Sequence, residues 1–342
     1  MTKTEFKEIV EHVDNGFSLV GLFFNFILLY LIITKTPFQL SAYRRILLQN
    51  CFVDIFYNSA MLFTRTSTDA KNGNFFMIYT SPFGPWPISL IYIPLVYWIF
   101  GIILTLTTLP VQFVYRYFIL VKNINLSNKQ YASLLSLSFI ATGLYTIFAV
   151  FVMAPNEKTY REKGNLLAND PYYPKTVLSG YVTSDIAEWP LFFEFLFCYS
   201  LAFISYIIIA WTSFKTWRHL KAMENHMTLQ TREANRQITK TLFMQATLPV
   251  FACIIPITTI VSMTFLKTNI DGFGLIVSLL WAWIPIVNTT VTICVVKSYR
   301  TAVLKIIRCS KKTNSIATTA LTYDVTLKDS RTGSRNGQIL TA

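Results

Sequence analysis

The chain has 342 residues, 53% of them hydrophobic and only 14% charged, where a soluble domain carries about 25% charged residues. Such a shortage of charge argues against a water-soluble protein. It also removes the nucleic-acid partner that a net charge of +13 would otherwise suggest, because the basic residues then serve as membrane orientation signals.

The first fifteen residues contain Glu5, Glu8, Glu11 and Asp14. They lack the basic start and small-residue cleavage site of a secretory signal, so the first apolar segment is its own insertion signal, with 1–15 as an extracellular amino terminus. A helix crossing the hydrocarbon core needs about 20 apolar residues. Candidate segments follow in order at 16–33, 46–63, 88–114, 131–153, 190–211, 241–266 and 272–296. Each is a continuous apolar run without β alternation, which excludes a barrel, and backbone groups in lipid must bond within a helix. The predicted fold is therefore an all-α membrane protein, a seven-transmembrane helix bundle over 16–296.

The connecting stretches are sided. Segments 35–45, 115–130, 212–240 and the tail from 297 hold 21 of the 30 Lys and Arg residues. Positive residues stay in the cytoplasm, which predicts an outside amino terminus and a cytoplasmic carboxy terminus. The outer loop 155–188, rich in turn formers and tyrosine, reads either as a cap on the bundle or as a polar connector. In the inner loop, Met223, Met227, Ala234 and Ile238 share a helical face, so the fifth and sixth helices are expected to extend as amphipathic rods. That loop is a docking surface for a cytoplasmic partner or a contact with the lipid bilayer's anionic headgroups. Residues 297–309 read as a membrane-surface helix. Cys309 at its end is a palmitoylation candidate or a plain thiol. The Ser-, Thr- and Lys-rich 310–342 reads as a disordered cytoplasmic tail. The five cysteines show no CxxC metal spacing and no disulfide framework.

Inside the spans, polar residues stand out because a buried charge needs polar company. Asn25, Asp54 and Asn288 lie in the first, second and seventh segments, and all three are expected to face one pocket. That trio suits water or a small cation as part of a switch, or else forms a static clamp. Glu194 reads first as snorkelling to the interface, with a ligand contact as the alternative. Pro94, Pro110, Pro249, Pro256 and Pro285 are expected to kink their helices. Tyr97, Trp98, Trp281 and Trp283 either line an outer-half cavity or pack against lipid and neighbours. Arg116, flanked by Tyr115 and Tyr117, falls at the cytoplasmic boundary, where arginine reaches headgroups.

Three motifs carry a resemblance: QFVYRYFIL (112–120), FMQATLPVFACIIPI (243–257) and PIVNTTVTICVVKSYR (285–300). Together with seven segments they resemble the nematode serpentine chemoreceptors of the Str superfamily, with the Str and Srd groups nearest. The resemblance implies a chemosensory G-protein-coupled receptor of the plasma membrane, in sensory cilia, with a small-molecule ligand among the outer helix halves and a heterotrimeric G protein inside. It assigns coupling or switching to Tyr115, Arg116, Tyr117, Pro285, Asn288, Tyr299 and Arg300. It likens Asn25, Asp54 and Asn288 to the polar triad of rhodopsin-like receptors. The sequence departs from that pattern: Tyr115 replaces the acid before the arginine, and no tyrosine closely follows Asn288. No cysteine lies between Thr64 and Pro190, so the outer loop is expected to be held by packing alone.

A seven-span transporter or channel is the alternative, though neither a line of intramembrane charges nor an internal repeat supports it. An enzyme is not expected. No nucleophile–base pair, HExxH or Gly-rich phosphate loop occurs, and the histidines lie outside the spans.

Overall fold

The computed structural model describes residues 3–84, 86–153, 157–168, 172–173, 180–224, 227–270, 272–306 and 308. Its helices are α1 (Lys3–Lys35), α2 (Arg44–Thr64), α3 (Tyr92–Leu120), α4 (Asn128–Val152), α5 (Glu157–Ala168), α6 (Trp189–Ala222), α7 (Leu229–Pro249), α8 (Ile255–Leu266) and α9 (Phe273–Val295). A π turn, Val250–Ile254, joins α7 to α8 without a break, so the pair forms one span. Among the described residues, 7 helical units are long and apolar enough to cross a membrane. Cys309 and the tail 310–342 lie outside the described residues, while 297–306 is helical.

Several boundaries differ from expectation for local reasons. The first helix begins at Lys3, well before residue 16. Its early turns are anchored: the Lys7 ammonium lies 5.1 Å from the Tyr173 ring centre and 3.3 Å from Glu11. An acidic start also suits the positive end of a helix dipole. Pro94 falls in the first turn of α3, where a missing N–H removes nothing from the helix, so it does not kink the span. Pro249 does disturb its helix, and the π turn follows it directly. The fourth span opens on a capping box: the Ser127 hydroxyl accepts from Gln130 N–H at 3.3 Å, and the Ser127 N–H donates to Gln130 Oε1 at 2.9 Å. As expected, α6 and α7 extend beyond the apolar segments, ending at Ala222 and starting at Leu229.

A three-stranded antiparallel sheet, absent from the sequence reading, lies at the end of the bundle where α1 begins. It contains β1 (Thr66–Lys71), β2 (Asn74–Tyr79) and β3 (Gly180–Asp185), in the order β1-β2-β3. Asn72 and Gly73 turn the hairpin with φ of 48° and 80°, the left-handed pair that a tight two-residue turn demands. Side chains of β2 alternate: Phe75, Met77 and Tyr79 join the bundle core, while Phe76 and Ile78 pack with Leu167, Tyr173 and Tyr181 beneath α5. The loop expected to be held by packing alone is thus held by strand pairing, Phe75 opposite Ser184 and Met77 opposite Val182.

Two apolar clusters fill the bundle. One surrounds Tyr57, Trp98, Tyr145 and Trp281 below the sheet. The other surrounds Leu31, Tyr43, Tyr115, Ile238 and Tyr299 at the opposite end. Along α2, α3 and α9 the change from one to the other falls at polar positions: Asp54, Thr105 to Thr108, and Asn288. Lipid offers no hydrophobic drive between helices, so packing and these hydrogen-bonding belts hold the spans together.

Candidate functional site

A cavity of about 100 Å³ lies directly under the sheet. Its lid is Thr68 of β1 with Phe75 and Met77 of β2; its walls include Trp98, Tyr145, Glu194 and Trp281; and Pro249, Cys253 and Ile254 bring the π turn to it. The lining is mostly apolar with few polar groups, the usual make-up of a small-molecule site. Glu194 is 2% exposed and accepts a hydrogen bond from the Tyr145 hydroxyl at 3.3 Å. Among the described residues its second oxygen, Oε2, has no partner, and neither do Thr68 Oγ1 and Trp281 Nε1. Snorkelling is therefore the wrong reading of Glu194: it points inward, one turn into α6, with the cavity beside it.

Of the five residues expected around a ligand, the cavity collects Trp98, Glu194 and Trp281. The indoles of Trp98 and Trp281 sit 4.9 Å apart. Tyr97 turns away, bonding Ser59 at 2.6 Å and packing on Phe56 and Phe63. Trp283 is 48% exposed and stacks edge-on against Phe17 at 5.2 Å, so it lies on the bundle's flank.

The second feature is a chain of buried and half-buried amides. Asn288 Nδ2 donates to Asp54 Oδ1 at 3.1 Å. Thr292 Oγ1 donates to the Asn288 carbonyl at 2.8 Å and accepts from Gln245 Nε2 at 3.0 Å. Asn50 Nδ2 donates to Gln245 Oε1 at 2.8 Å and to Gln112 Oε1 at 3.0 Å. Four spans are tied in this way. Asn25 is not part of it: its amide donates to the Gly21 carbonyl at 2.9 Å within its own helix, and its Oδ1 has no partner among the described residues. Sequence reasoning picked out Asp54 and Asn288 and passed over Asn50, Gln112 and Gln245. Each is an amide inside an apolar run, the same signal that marked Asn25 and Asn288.

The third feature is Arg116, one turn beyond Gln112 on α3. It is 4% exposed and does not reach out to headgroups. One Nη donates to the Asn235 carbonyl at 3.3 Å and to the Thr239 hydroxyl, both on α7. Tyr115 turns to the loop before α2, giving its hydroxyl to the Ala42 carbonyl at 3.1 Å. Tyr117 packs on Trp211 of α6 at 5.3 Å. Tyr299 is fully buried and bonds Thr36 at 2.7 Å, far along the chain from Arg116's partners. Arg300 is exposed and donates to the Cys294 carbonyl at 3.2 Å. Pro285 is buried mid-α9, one turn before Asn288. The coupling residues grouped by resemblance thus occupy separate places, with Arg116 alone bridging to α7.

Seven spans around a sheet-lidded cavity, with an arginine holding the third span to the sixth, define a receptor of the rhodopsin-like fold. Squid rhodopsin matches at a TM-score of 0.55 with 10% identity, covering 90% of this chain and 87% of that one. No curated relative matches. The model of the serpentine type 7TM GPCR chemoreceptor Str family matches residues 10–304, and the chain belongs to that family. It is a multi-pass membrane protein and a chemosensory G-protein-coupled receptor, of a receptor rather than an enzyme family.

Proposed function

We propose that a small, largely apolar molecule binds beneath the sheet and that its binding loosens Arg116 from α7, opening the bundle to a heterotrimeric G protein. The observation that carries this reading is a single continuous span. The α7–π–α8 unit touches the cavity at Pro249, Cys253 and Ile254, the amide chain at Gln245, and Arg116 at Thr239 and Asn235. From Cys253 to Thr239 is about 20 Å along a helix. A ligand shifts such an equilibrium only by binding one state better than the other, and contact with the π turn supplies that difference.

The biased placement of Lys and Arg supports a sheet end outside the cell and the Arg116 end in the cytoplasm. The family's chemosensory role supports placement in the ciliary membrane of sensory neurons. A cavity of this size suits a ligand of roughly six heavy atoms or fewer. The unpartnered oxygen of Glu194 calls for a hydrogen-bond donor on that ligand, because a buried polar group without a partner costs about 1–3 kcal/mol.

The test is a calcium or cAMP reporter in cells expressing the chain, screened with small odorants and then repeated with Glu194→Ala. An agonist carrying a donor should lose about tenfold or more in potency, while a donor-free analogue of equal size should change little. Equal loss for both would remove Glu194 from recognition. Asn288, which bonds Asp54, also carries an Oδ1 without a partner among the described residues, and these oxygens suit a small cation. Basal signalling should then fall as sodium replaces a large organic cation, and Asp54→Asn should abolish that dependence. A sodium response that survives the substitution would place no cation there.

A further inference from the structure

Beyond the ligand cavity, a groove of about 650 Å³ runs between α7 and α9 at the Arg116 end. Arg236, Lys240, Lys297 and Arg300 gather at its mouth, with Glu233 the acid among its lining residues. Among the described residues, none of these four cations forms an ion pair with a carboxylate. Glu233 is engaged by Gln237, whose Nε2 donates to it at 3.0 Å. Farther along the same two helices the lining turns to Met244, Val291, Cys294 and Val295. Met244 lies one turn beyond Lys240, and Val295 two residues before Lys297. Polarity therefore changes along the helix axes, from cationic at the bundle's end to apolar within the membrane-length spans.

We infer that this groove binds an anionic phospholipid, its phosphorylated headgroup among Arg236, Lys240, Lys297 and Arg300 and an acyl chain along Met244, Val291 and Val295. Three observations favour a lipid over a soluble acidic partner. The groove opens on the flank of two membrane-crossing helices, where lipid already is. Its walls match the two halves of a lipid molecule. Its cations have no acid in the described protein to satisfy them, and each basic residue at a charged membrane surface strengthens binding severalfold. The site rests on the chain's spanning a membrane and does not depend on which ligand or G protein the receptor uses.

The full-length receptor, reconstituted in nanodiscs of phosphatidylcholine with a minor fraction of phosphatidylinositol 4,5-bisphosphate, tests this by native mass spectrometry of lipid retained after detergent extraction. The wild type should keep the anionic lipid in preference to phosphatidylcholine. The triple variant Arg236→Gln, Lys240→Gln, Lys297→Gln should lose about tenfold or more of that retention. Two controls decide the meaning. Lys215→Gln, Arg218→Gln, Lys221→Gln removes the same charge from the exposed end of α6 and should keep the lipid. Lys240→Arg with Lys297→Arg preserves charge and should also keep it, with thermal unfolding reporting the fold in every case. Equal loss in the α6 variant would mean surface charge without a site, and no loss in the groove variant, or no preference over phosphatidylcholine, would overturn the proposal outright. A soluble acidic peptide that competes the lipid away without membrane insertion would assign the groove to a protein partner instead.

Discussion

Gly274→Ala is expected to prevent the sheet from seating on the bundle. A Cβ at Gly274, in the first turn of α9, would lie 1.6 Å from the backbone carbonyl oxygen of Thr68. No rotamer relieves that clash, because the atom struck is main chain in a strand whose residues are all buried. Either α9 or β1 must move, and each borders the ligand cavity through Trp281 or Thr68. Overpacking typically costs about 1–3 kcal/mol and occasionally more, and a clash with main chain lies at the costly end. Surface expression and the melting temperature of purified receptor should both fall sharply. Gly143→Ala is the matched control, since its Cβ would meet nothing within 4 Å, and a helix interior favours alanine by about 1 kcal/mol. A Gly274→Ala receptor that melts like the wild type would mean that the sheet does not press on α9 in the membrane.

The second large effect concerns Arg116 and should appear as two opposite outcomes. Thr239→Val keeps the shape of the side chain but removes a hydroxyl that Arg116 binds. A charged hydrogen bond contributes about 1.5–3 kcal/mol, so basal signalling should rise by roughly tenfold or more as α7 is freed. Arg116→Ala frees α7 as well, but it also removes a residue that the family resemblance assigns to G-protein coupling. It should signal at background, with or without agonist, at normal surface expression. The pair separates the two roles of one side chain. If Arg116→Ala became constitutively active, the arginine would be a latch and nothing more. If Thr239→Val stayed silent, the bond to α7 would not hold the resting state.

The spans were legible because lipid imposes a length and an unbroken apolar run that few other solvents demand. What escaped was governed by other physics. β1 reads TSTDAK, and every residue of it is buried, so no alternation of apolar and polar residues betrays a strand. Its partner NFFMIY is apolar nearly throughout. Only Asn72-Gly73 carried a local hairpin signal, and it sat in a stretch read as loop. Arg116 was placed correctly at the end of the third span, yet its burial depended on α7 reaching far enough to meet it. That contact is made across 119 residues of sequence and leaves no local mark. The aromatic candidates divided for a similar reason. Trp281 and Trp283 are two residues apart on one helix, so they point in different directions, and only the packing around α9 decides which of them faces the cavity.

The sheet has a chemical consequence. Its three strands and their turns bind one another through main-chain hydrogen bonds, and the sequence from Arg65 to Trp189 offers no thiol to bridge them. Among the described residues, Cys51, Cys198, Cys253 and Cys294 are all free. The cover over the cavity is thus indifferent to thiol–disulfide exchange. It needs no oxidative folding step to mature, no reductant can unfasten it, and an oxidising environment cannot lock it shut.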